Sequence, residues 1–218
     1  MEAPYILSIQ VGRPKIINIE MSSLISKNSW LTGFFKEPVE GRIWVGKSNL
    51  SGDGQADLKH HGGADKAVLG YSADHYTAWH NEVVSVKLPY GAFGENFTVK
   101  GLTEESVCIG DMYAIGDSQL QVSQPRQPCW KISNRWRIQD LAERVKLSGR
   151  TGWYFRVIYE GFVERGLPLI LLDRPFPQWT IACANKIMHS RYEDKDAAAE
   201  LASCHLLSTN WRATLSGN

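Results

Sequence analysis

Short runs of alternating apolar and polar residues, separated by glycine, dominate the chain from residue 5 to about residue 172. Such runs predict β-strands, because successive side chains of a strand point to opposite faces of a sheet. Many short strands at regular spacing favour a closed or nearly closed barrel. The predicted strand segments are YILSIQVG (5–12), GRIWVG (41–46), NFTVKG (96–101), MYAIGDSQLQVSQ (112–124), YFRVIYEGFV (154–163) and LPLILLD (167–173), with a hairpin over 108–122.

Two segments with helical spacing interrupt the strands, at 72–83 and 132–147. The first begins at Ser72, a residue type that caps helices, and the second ends before Gly149. We therefore predict one helix in each segment.

The proline-rich segment DRPFPQW, residues 173–179, ends the strand pattern, because proline cannot donate a hydrogen bond to a sheet. Beyond it the pattern predicts short amphipathic helices at 180–192, 194–205 and 208–216. We predict a mainly β, closed-barrel domain over residues 1–174 and a small all-α unit of three helices over 175–218. The helical unit is expected to dock either a second subunit or an electron donor.

The composition is that of an ordinary globular protein, with 218 residues, 22% charged and 43% hydrophobic positions. The net charge of +1 argues against a general nucleic-acid-binding protein. No apolar run reaches membrane-spanning length, and the N-terminus lacks the pattern of a secretory signal. The four cysteines show no CxxC spacing, so we expect reduced thiols in a cytoplasmic protein rather than a disulfide framework or a zinc knot.

The segment SQPRQPCWK, residues 123–131, places Cys129 where it could act chemically. Pro125 and Pro128 stiffen the backbone before the thiol, and a predicted helix begins just after it. Arg126 and Lys131 add positive charge, which favours the thiolate form. A thiolate can be a nucleophile or a soft-metal ligand, and a buried structural cysteine is the alternative.

A second candidate segment is GDGQADLKHHGGADKAVLGY, residues 52–71. Gly62 and Gly63 can adopt conformations that aim several backbone N–H groups at one anion, with Asp65 and Lys66 directly after them. A plain surface loop is the alternative. The neighbouring histidines do not have the spacing of a zinc site, so we do not predict one.

A third segment is GAFGENFTVKGL, residues 91–102. The side-chain amide of Asn96 could recognise the edge of a heterocycle. A hairpin corner is the alternative, and the segment alone favours it.

Together these segments, with GRTGWYFRVIYEG further on, resemble the MOSC domain, named for the C-terminal domain of molybdenum-cofactor sulfurases. The resemblance is greatest to the stand-alone bacterial, YiiM-like branch with a C-terminal three-helix extension. It implies a MOSC-type β-barrel, the molybdenum cofactor (molybdopterin) as the bound group, and Cys129 as the metal ligand. The other residues that it implies as cofactor-binding are Lys36, Gly62, Gly63, Asp65, Lys66, Asn96 and Arg126, and those that it implies near the chemistry are Arg126, His61 and Cys129.

The resemblance also implies a reaction, the reduction of N-hydroxylated compounds such as N-hydroxylated purine bases to the amines. The sequence contains no dinucleotide fingerprint, so we expect no intrinsic flavin or NAD site and a separate flavin-dependent reductase as electron donor. Two other functions stay open: a carrier of molybdenum cofactor or of its sulfur without reductase activity, and a metal-free thiol enzyme with a histidine base. A homodimer is compatible with the sequence; specific nucleic-acid binding and membrane association are not expected.

Overall fold

The computed structural model describes residues 3–19, 28–58 and 62–217. In these ranges the protein is mainly β, with a helical C-terminal part. The strands are β1 (Tyr5–Val11), β2 (Lys15–Ile19), β3 (Asn28–Thr32), β4 (Glu37–Val39), β5 (Ile43–Val45), β6 (Val68–Ser72), β7 (Phe97–Lys100), β8 (Met112–Ile115), β9 (Ser118–Pro125), β10 (Trp153–Tyr159), β11 (Gly161–Val163) and β12 (Ile170–Asp173). The helices are α1 (His75–Glu82), α2 (Lys131–Trp136), α3 (Leu141–Ser148), α4 (Ile181–Ser190), α5 (Lys195–Ser203) and α6 (Thr209–Leu215), and a single 3-10 turn covers Ala64–Lys66.

Eight strands form one sheet in the order β12-β8-β9-β10-β6-β7-β1-β4. All neighbours are antiparallel except β6 and β7, which are parallel. The predicted hairpin is confirmed: β8 and β9 pair from Met112↔Gln121 to Ile115↔Ser118, with a two-residue turn between them. Two small sheets, β5 with β11 and β2 with β3, lie beside the main sheet.

The expected closed barrel is wrong, because the sheet curls into a half-barrel whose edge strands β12 and β4 do not pair with each other. Edge strand β4 is only three residues long and contains Pro38, which has no N–H to offer a further strand. Irregular backbone partly fills the gap. The N–H of Ile6 donates to Leu167 O (3.0 Å), and the N–H groups of Gly166 and Leu169 donate to Ile6 O and Pro4 O (both 2.8 Å).

Strand β6 was not among the predicted strands, although all five of its residues are buried. Its sequence, VLGYS, shows no alternation, as expected for a strand that is covered on both faces. Gly70 is required by close packing, since a Cβ at this position would lie 3.0 Å from the Phe155 ring and 3.1 Å from the indole nitrogen of Trp153.

The single helix predicted over 132–147 is in fact two helices, α2 and α3, which Arg137 separates. Arg137 adopts a left-handed conformation with φ 54°, and within the described ranges it is the one non-glycine residue with positive φ. A left-handed residue ends a helix, and a side chain at such a position carries a steric cost.

Replacing Arg137 with glycine is therefore expected to stabilise the protein. The steric cost of about 1–2 kcal/mol is removed, and the greater freedom of glycine in the unfolded chain gives back roughly 0.4–1 kcal/mol. We expect a gain of roughly 0.5 kcal/mol in the free energy of unfolding, measured by urea denaturation. Arg137→Ala is the matched control, and an equal gain in that variant would contradict the conformational explanation.

The three C-terminal helices begin where the sequence indicates. Each has a side-chain cap: Thr180 accepts from Cys183 N (3.0 Å), Asp194 from Ala197 N (3.0 Å) and Ser208 from Trp211 N (3.3 Å). Caps of this kind satisfy backbone donors that have no partner within the helix. The boundary between residues 174 and 175 stays a prediction.

The helices share one hydrophobic core with the sheet. Ile181, Leu201 and Trp211 belong to the same buried cluster as Ile109 and Val122. Backbone hydrogen bonds reinforce this packing, because the N–H of Ile181 donates to Val107 O (2.8 Å) and that of Ser208 donates to Ser123 O (2.9 Å). The C-terminal helices are thus part of the fold of the sheet and not an appendage that rests on its surface.

Cys108 precedes β8 and forms an isolated bridge with Thr180. Cys183 lies in α4, and Cys204 caps the C-terminus of α5, as expected for the helical tail. No helix of the described ranges is long and apolar enough to cross a membrane.

Candidate functional site

A cleft opens where the ends of β3, β9 and β10 meet the loops that follow β5 and precede β7. It encloses about 590 Å³ of space, counting the part that is open to solvent. Its described lining carries four cationic side chains and no carboxylate. The cations are Lys36, Lys66, Arg126 and Lys131.

Cys129 also lines this cleft. Strand β9 ends at Pro125, and a short loop carries the half-buried thiol to the start of α2, as the sequence indicates. The backbone oxygen of Cys129 accepts from Ile132 N (3.1 Å), which fixes the loop to the helix. Helix α2 has only six residues, and the cations Arg126 and Lys131 line the cleft together with the thiol.

Arg126 is almost fully buried, at 4% exposure, beside this thiol. Its backbone N–H donates to Gly152 O (3.0 Å) and its Nη2 donates to Phe93 O (3.0 Å). Its other terminal nitrogen, Nη1, is buried and has no hydrogen-bond partner. A buried guanidinium with an unused donor is costly unless a ligand supplies an acceptor.

Lys36 is also buried, at 8% exposure, and forms an ion pair with the fully buried carboxylate of Asp53. Burial lowers the pKa of Lys36, while the charge of Asp53, its hydrogen bond and the charge of Glu95 act in the opposite direction. Sequence reasoning missed Asp53, although it lies in the quoted segment at 52–71. The one feature of the sequence that could have indicated a role for Asp53 is its position between two glycines in the segment SGDGQ.

Asn96 lines the cleft, but its side chain is already used within the protein. The amide nitrogen donates to Asp53 Oδ2 (2.9 Å) and to Gln10 O (3.2 Å), and the amide oxygen accepts from Leu69 N (3.1 Å). Both N–H groups of the amide are therefore used within the protein. Only the second lone pair of the amide oxygen is left to recognise the edge of a heterocycle. Asn96 joins the loop before β7 to the wall that carries Lys36.

Glu95, next to Asn96, shapes the loop that forms one rim of the cleft. Its fully buried carboxylate accepts from Tyr76 Oη (2.5 Å), Gly91 N (2.7 Å), Phe93 N (3.1 Å) and Thr98 Oγ1 (3.0 Å). The same carboxylate is one of the charges that support the ammonium of Lys36.

Two neighbouring residues of the HGGADK segment face different ways. Lys66 lines the cleft, and burial lowers its pKa against the opposing charges of Asp65 and Asp57. Asp65 lies outside the cleft lining: its carboxylate accepts from Arg156 Nε (2.8 Å) and from Thr209 N (3.4 Å), so it ties the turn to β10 and to α6.

The glycines that line the cleft are not the Gly62–Gly63 pair that the sequence analysis named for anion binding through backbone N–H groups. Gly62 and Gly63 are not among the lining residues, and Gly63, with φ 95°, instead starts the 3-10 turn that carries Lys66. The glycines that line the cleft are Gly33, Gly54 and Gly94. At Gly33 a Cβ would lie 2.1 Å from Gly54 O, so the two backbones can approach only because glycine is present.

His61 lies outside the described residues. Of the other histidines discussed for zinc, His75 contacts Glu104 (2.5 Å) and His80 contacts Leu88 O (2.8 Å), so both are used away from the cleft. In the part of the chain that the structure describes, no group of three or more histidine, cysteine, aspartate or glutamate residues could hold a metal ion.

Tyr154 lines the cleft and was not singled out from the sequence. Burial raises its pKa, with Arg126 opposing and Cys129 adding to the rise, so the phenol stays protonated. The alternation along β10 could have revealed it, because Trp153 and Phe155 face the core and Tyr154 must face the opposite side.

Comparison with protein families gives two matches. The MOSC domain matches residues 57–169, and the domain described as YiiM-like, 3-alpha helix matches residues 179–216. The first match contains Lys66, Asn96, Arg126 and Cys129; the second contains all three C-terminal helices.

Several relatives match most of the chain. YflK of Bacillus subtilis is 40% identical over 209 residues, covering 96% of this chain and 91% of its own. Protein YiiM of Escherichia coli is 36% identical over 182 residues, covering 83% and 81%. A protein of Gibberella moniliformis named Reductase is 32% identical over 89% of this chain, but the match spans only 34% of that longer protein.

A solved structure agrees with the architecture. The crystal structure of YiiM from Geobacillus stearothermophilus superimposes with a TM-score of 0.81 at 36% identity, covering 98% of both chains.

Proposed function

Because the chain belongs to the MOSC domain family and carries the YiiM-like three-helix domain, we propose that it is a molybdenum-cofactor-dependent reductase of N-hydroxylated compounds, such as N-hydroxylated purine bases. The observation that carries this proposal is the convergence of the Cys129 thiol with the buried, incompletely bonded Arg126 in one cationic cleft. The relative named Reductase supports the reaction class.

The residues of the cleft fit an anionic, metal-bearing cofactor. The free Nη1 of Arg126 needs an acceptor, and Lys66 and Lys131 add positive charge on facing walls. Charge-assisted hydrogen bonds of this kind are the usual means of binding phosphate and other anions. Cys129 offers the one thiol among the described lining residues, and a thiolate is a preferred ligand of soft metals.

When bound, the molybdenum cofactor supplies the two-electron chemistry. The roles of the protein are to bind, orient and protonate. Cys129 is the proposed metal ligand, and Arg126, Lys66 and Lys131 bind the anionic parts of the cofactor. Asn96 fixes the wall that carries Lys36.

The reaction consumes two electrons and two protons: R–NH–OH becomes R–NH₂ and water as the N–O bond breaks. Proton donors in the cleft must lie close to the departing oxygen. The described candidates are the lysines of the lining and Tyr154, because the guanidinium of Arg126 does not lose its proton. The lysines are Lys36, Lys66 and Lys131. The electrons are proposed to come from a separate, flavin-dependent reductase.

The proposal is tested with freshly purified protein. We expect molybdenum and pterin fluorescence to accompany the protein, and an N-hydroxylated purine base to be converted to the amine in the presence of a chemical reductant. Bound cofactor without amine formation would support the carrier function instead. Protein that is active in a host unable to make the cofactor would contradict both functions and support the metal-free thiol enzyme.

A further inference from the structure

A fully buried carboxylate, Asp53, supports the wall of the cleft without being one of its lining residues. We propose that Asp53 is a positioning residue that holds the Lys36 ammonium at the cleft, so that Lys36 donates a proton to the hydroxyl oxygen that leaves the N-hydroxylated substrate. This inference rests on the proposed reductase function, and it assigns the proton-donor role within it.

The geometry fixes Asp53 from three sides. Oδ1 accepts from Gly12 N (2.9 Å) and from the Lys36 ammonium, and Oδ2 accepts from Asn96 Nδ2 (2.9 Å). Asn96 is in turn held by Gln10 O and Leu69 N. Because these partners are themselves held by the protein, the carboxylate of Asp53 has little freedom to move when a ligand binds. It therefore restricts the position of the Lys36 ammonium.

Asp53 is the single hydrogen-bond acceptor that the described residues offer to the Lys36 ammonium. An ammonium carries three N–H donors, so two remain for groups that enter the cleft. Lys36 lines that cleft. The arrangement therefore holds one N–H inward, towards Asp53, and leaves the others available to a substrate oxygen.

Charges on every wall act on this lysine. The carboxylates are Asp53 after β5 and Glu95 before β7, and the groups on the facing walls are Lys66, Arg126, Cys129, Lys131 and Tyr154. Burial lowers the pKa of Lys36 and so favours loss of its proton, whereas the two carboxylates oppose this loss. A buried lysine balanced in this way is better suited to donate a proton near neutral pH than an exposed lysine is.

The proton transfer balances with the overall reaction. The N–O bond breaks as two electrons from the reductase enter it. The oxygen leaves with its own hydrogen and takes one proton from Lys36, which completes a water molecule, and the nitrogen keeps its own hydrogen and takes the second proton from the solvent. In net terms R–NH–OH, two electrons and two protons give R–NH₂ and water. The neutral Lys36 amine then recovers its proton from water in the cleft.

The first experiment separates charge from proton donation. Lys36→Arg keeps a cation beside Asp53 but does not release a proton, so we expect roughly a 100-fold loss in kcat, the lower end of the range for general acid catalysis. Molybdenum content and pterin fluorescence should stay at the level of the unmodified protein. A Lys36→Arg variant with unchanged kcat would overturn the proton-donor role.

The second experiment tests Asp53 through pH. The reaction needs protonated Lys36, so kcat should fall as the pH rises through the pKa of this lysine. Asp53→Asn removes the charge that raises this pKa, and the alkaline fall in kcat should move to lower pH. An unmoved pH profile would overturn the positioning role.

A third measurement needs no turnover. In cofactor-free protein, the pH dependence of Lys36 acetylation by acetic anhydride, followed by mass spectrometry, should shift to lower pH in Asp53→Asn. Asp111→Asn is the matched control, since Asp111 is also fully buried and paired with a cation, but its partner is Arg174 (2.7 Å), which does not line the cleft, and not Lys36. An equal shift in both variants would overturn the specific role of Asp53.

The outcomes also distinguish this inference from the proposed function. If unmodified, cofactor-loaded protein forms no amine, the proposed function fails, whatever the labelling shows. If it forms amine and Lys36→Arg does so equally well, the proposed function stands and the inference fails.

Discussion

Replacing Cys129 with serine is expected to abolish molybdenum binding and reductase activity while leaving the fold intact. A hydroxyl is a much poorer ligand for a soft metal than a thiolate is. Among the described residues no cluster could replace the lost ligand. Metal analysis by mass spectrometry and amine formation from an N-hydroxylated purine base measure the two losses.

The fold should tolerate this change, because the Cys129 thiol is only half-buried and the replacement is almost isosteric. A change of no more than about 1 kcal/mol in the free energy of unfolding is expected. Cys183→Ser is the matched control: that thiol is also half-buried, but it lies in α4 and away from the cleft. Turnover at the unmodified rate in Cys129→Ser would contradict the molybdenum function.

Deleting residues 180–218 is expected to prevent folding. The deletion removes buried side chains, among them Ile181, Leu201 and Trp211, and each such side chain contributes about 1.5–3 kcal/mol by burial. The total is comparable to the whole stability of a domain, about 5–15 kcal/mol. It would also expose Ile109 and Val122 of the sheet, which pack in the same cluster.

Insoluble protein, or soluble protein without a cooperative thermal transition, is the expected result. A chain that ends at Ser216 keeps all three helices and serves as the control. Because the helices and the sheet share one core, the truncated chain is not expected to keep the cleft. A folded truncated chain that retains bound cofactor would contradict the role of the helices in the fold. Docking of a reductase or of a second subunit by these helices stays a prediction.

The sequence analysis correctly identified elements that are stabilised by contacts between residues close together in the chain. The β8–β9 hairpin has turn residues between alternating strands, and the C-terminal helices have Thr180, Asp194 and Ser208 at their starts. The loop before Cys129 was also predictable, since the prolines and the following helix lie within one short segment. In each case the decisive contacts join residues that are close in sequence.

Contacts between distant segments escaped the sequence analysis. The prediction of a closed barrel was wrong because closure depends on pairing between the two edge strands of the sheet. Edge strand β4 has only three residues and therefore few backbone groups with which to pair. Asp53 was missed because its importance comes from Lys36 and Asn96, which lie on other segments. The family resemblance implied Asp65 as a cofactor-binding residue, but in the 3-10 turn that also carries Lys66 its carboxylate accepts from Arg156 instead.

The position of β1 has a consequence for synthesis of the protein. Its first residues, Tyr5 and Ile6, pair on one side with β7 and on the other with the segment at 166–169. A ribosome adds about 5–20 residues per second, so β7 emerges roughly 5–18 s after the start of β1, and the segment at 166–169 roughly 8–32 s after it. The end of β1 can pair early with β4, whereas its first residues stay without their partners in the sheet until β7 has been made, nearly halfway along the chain.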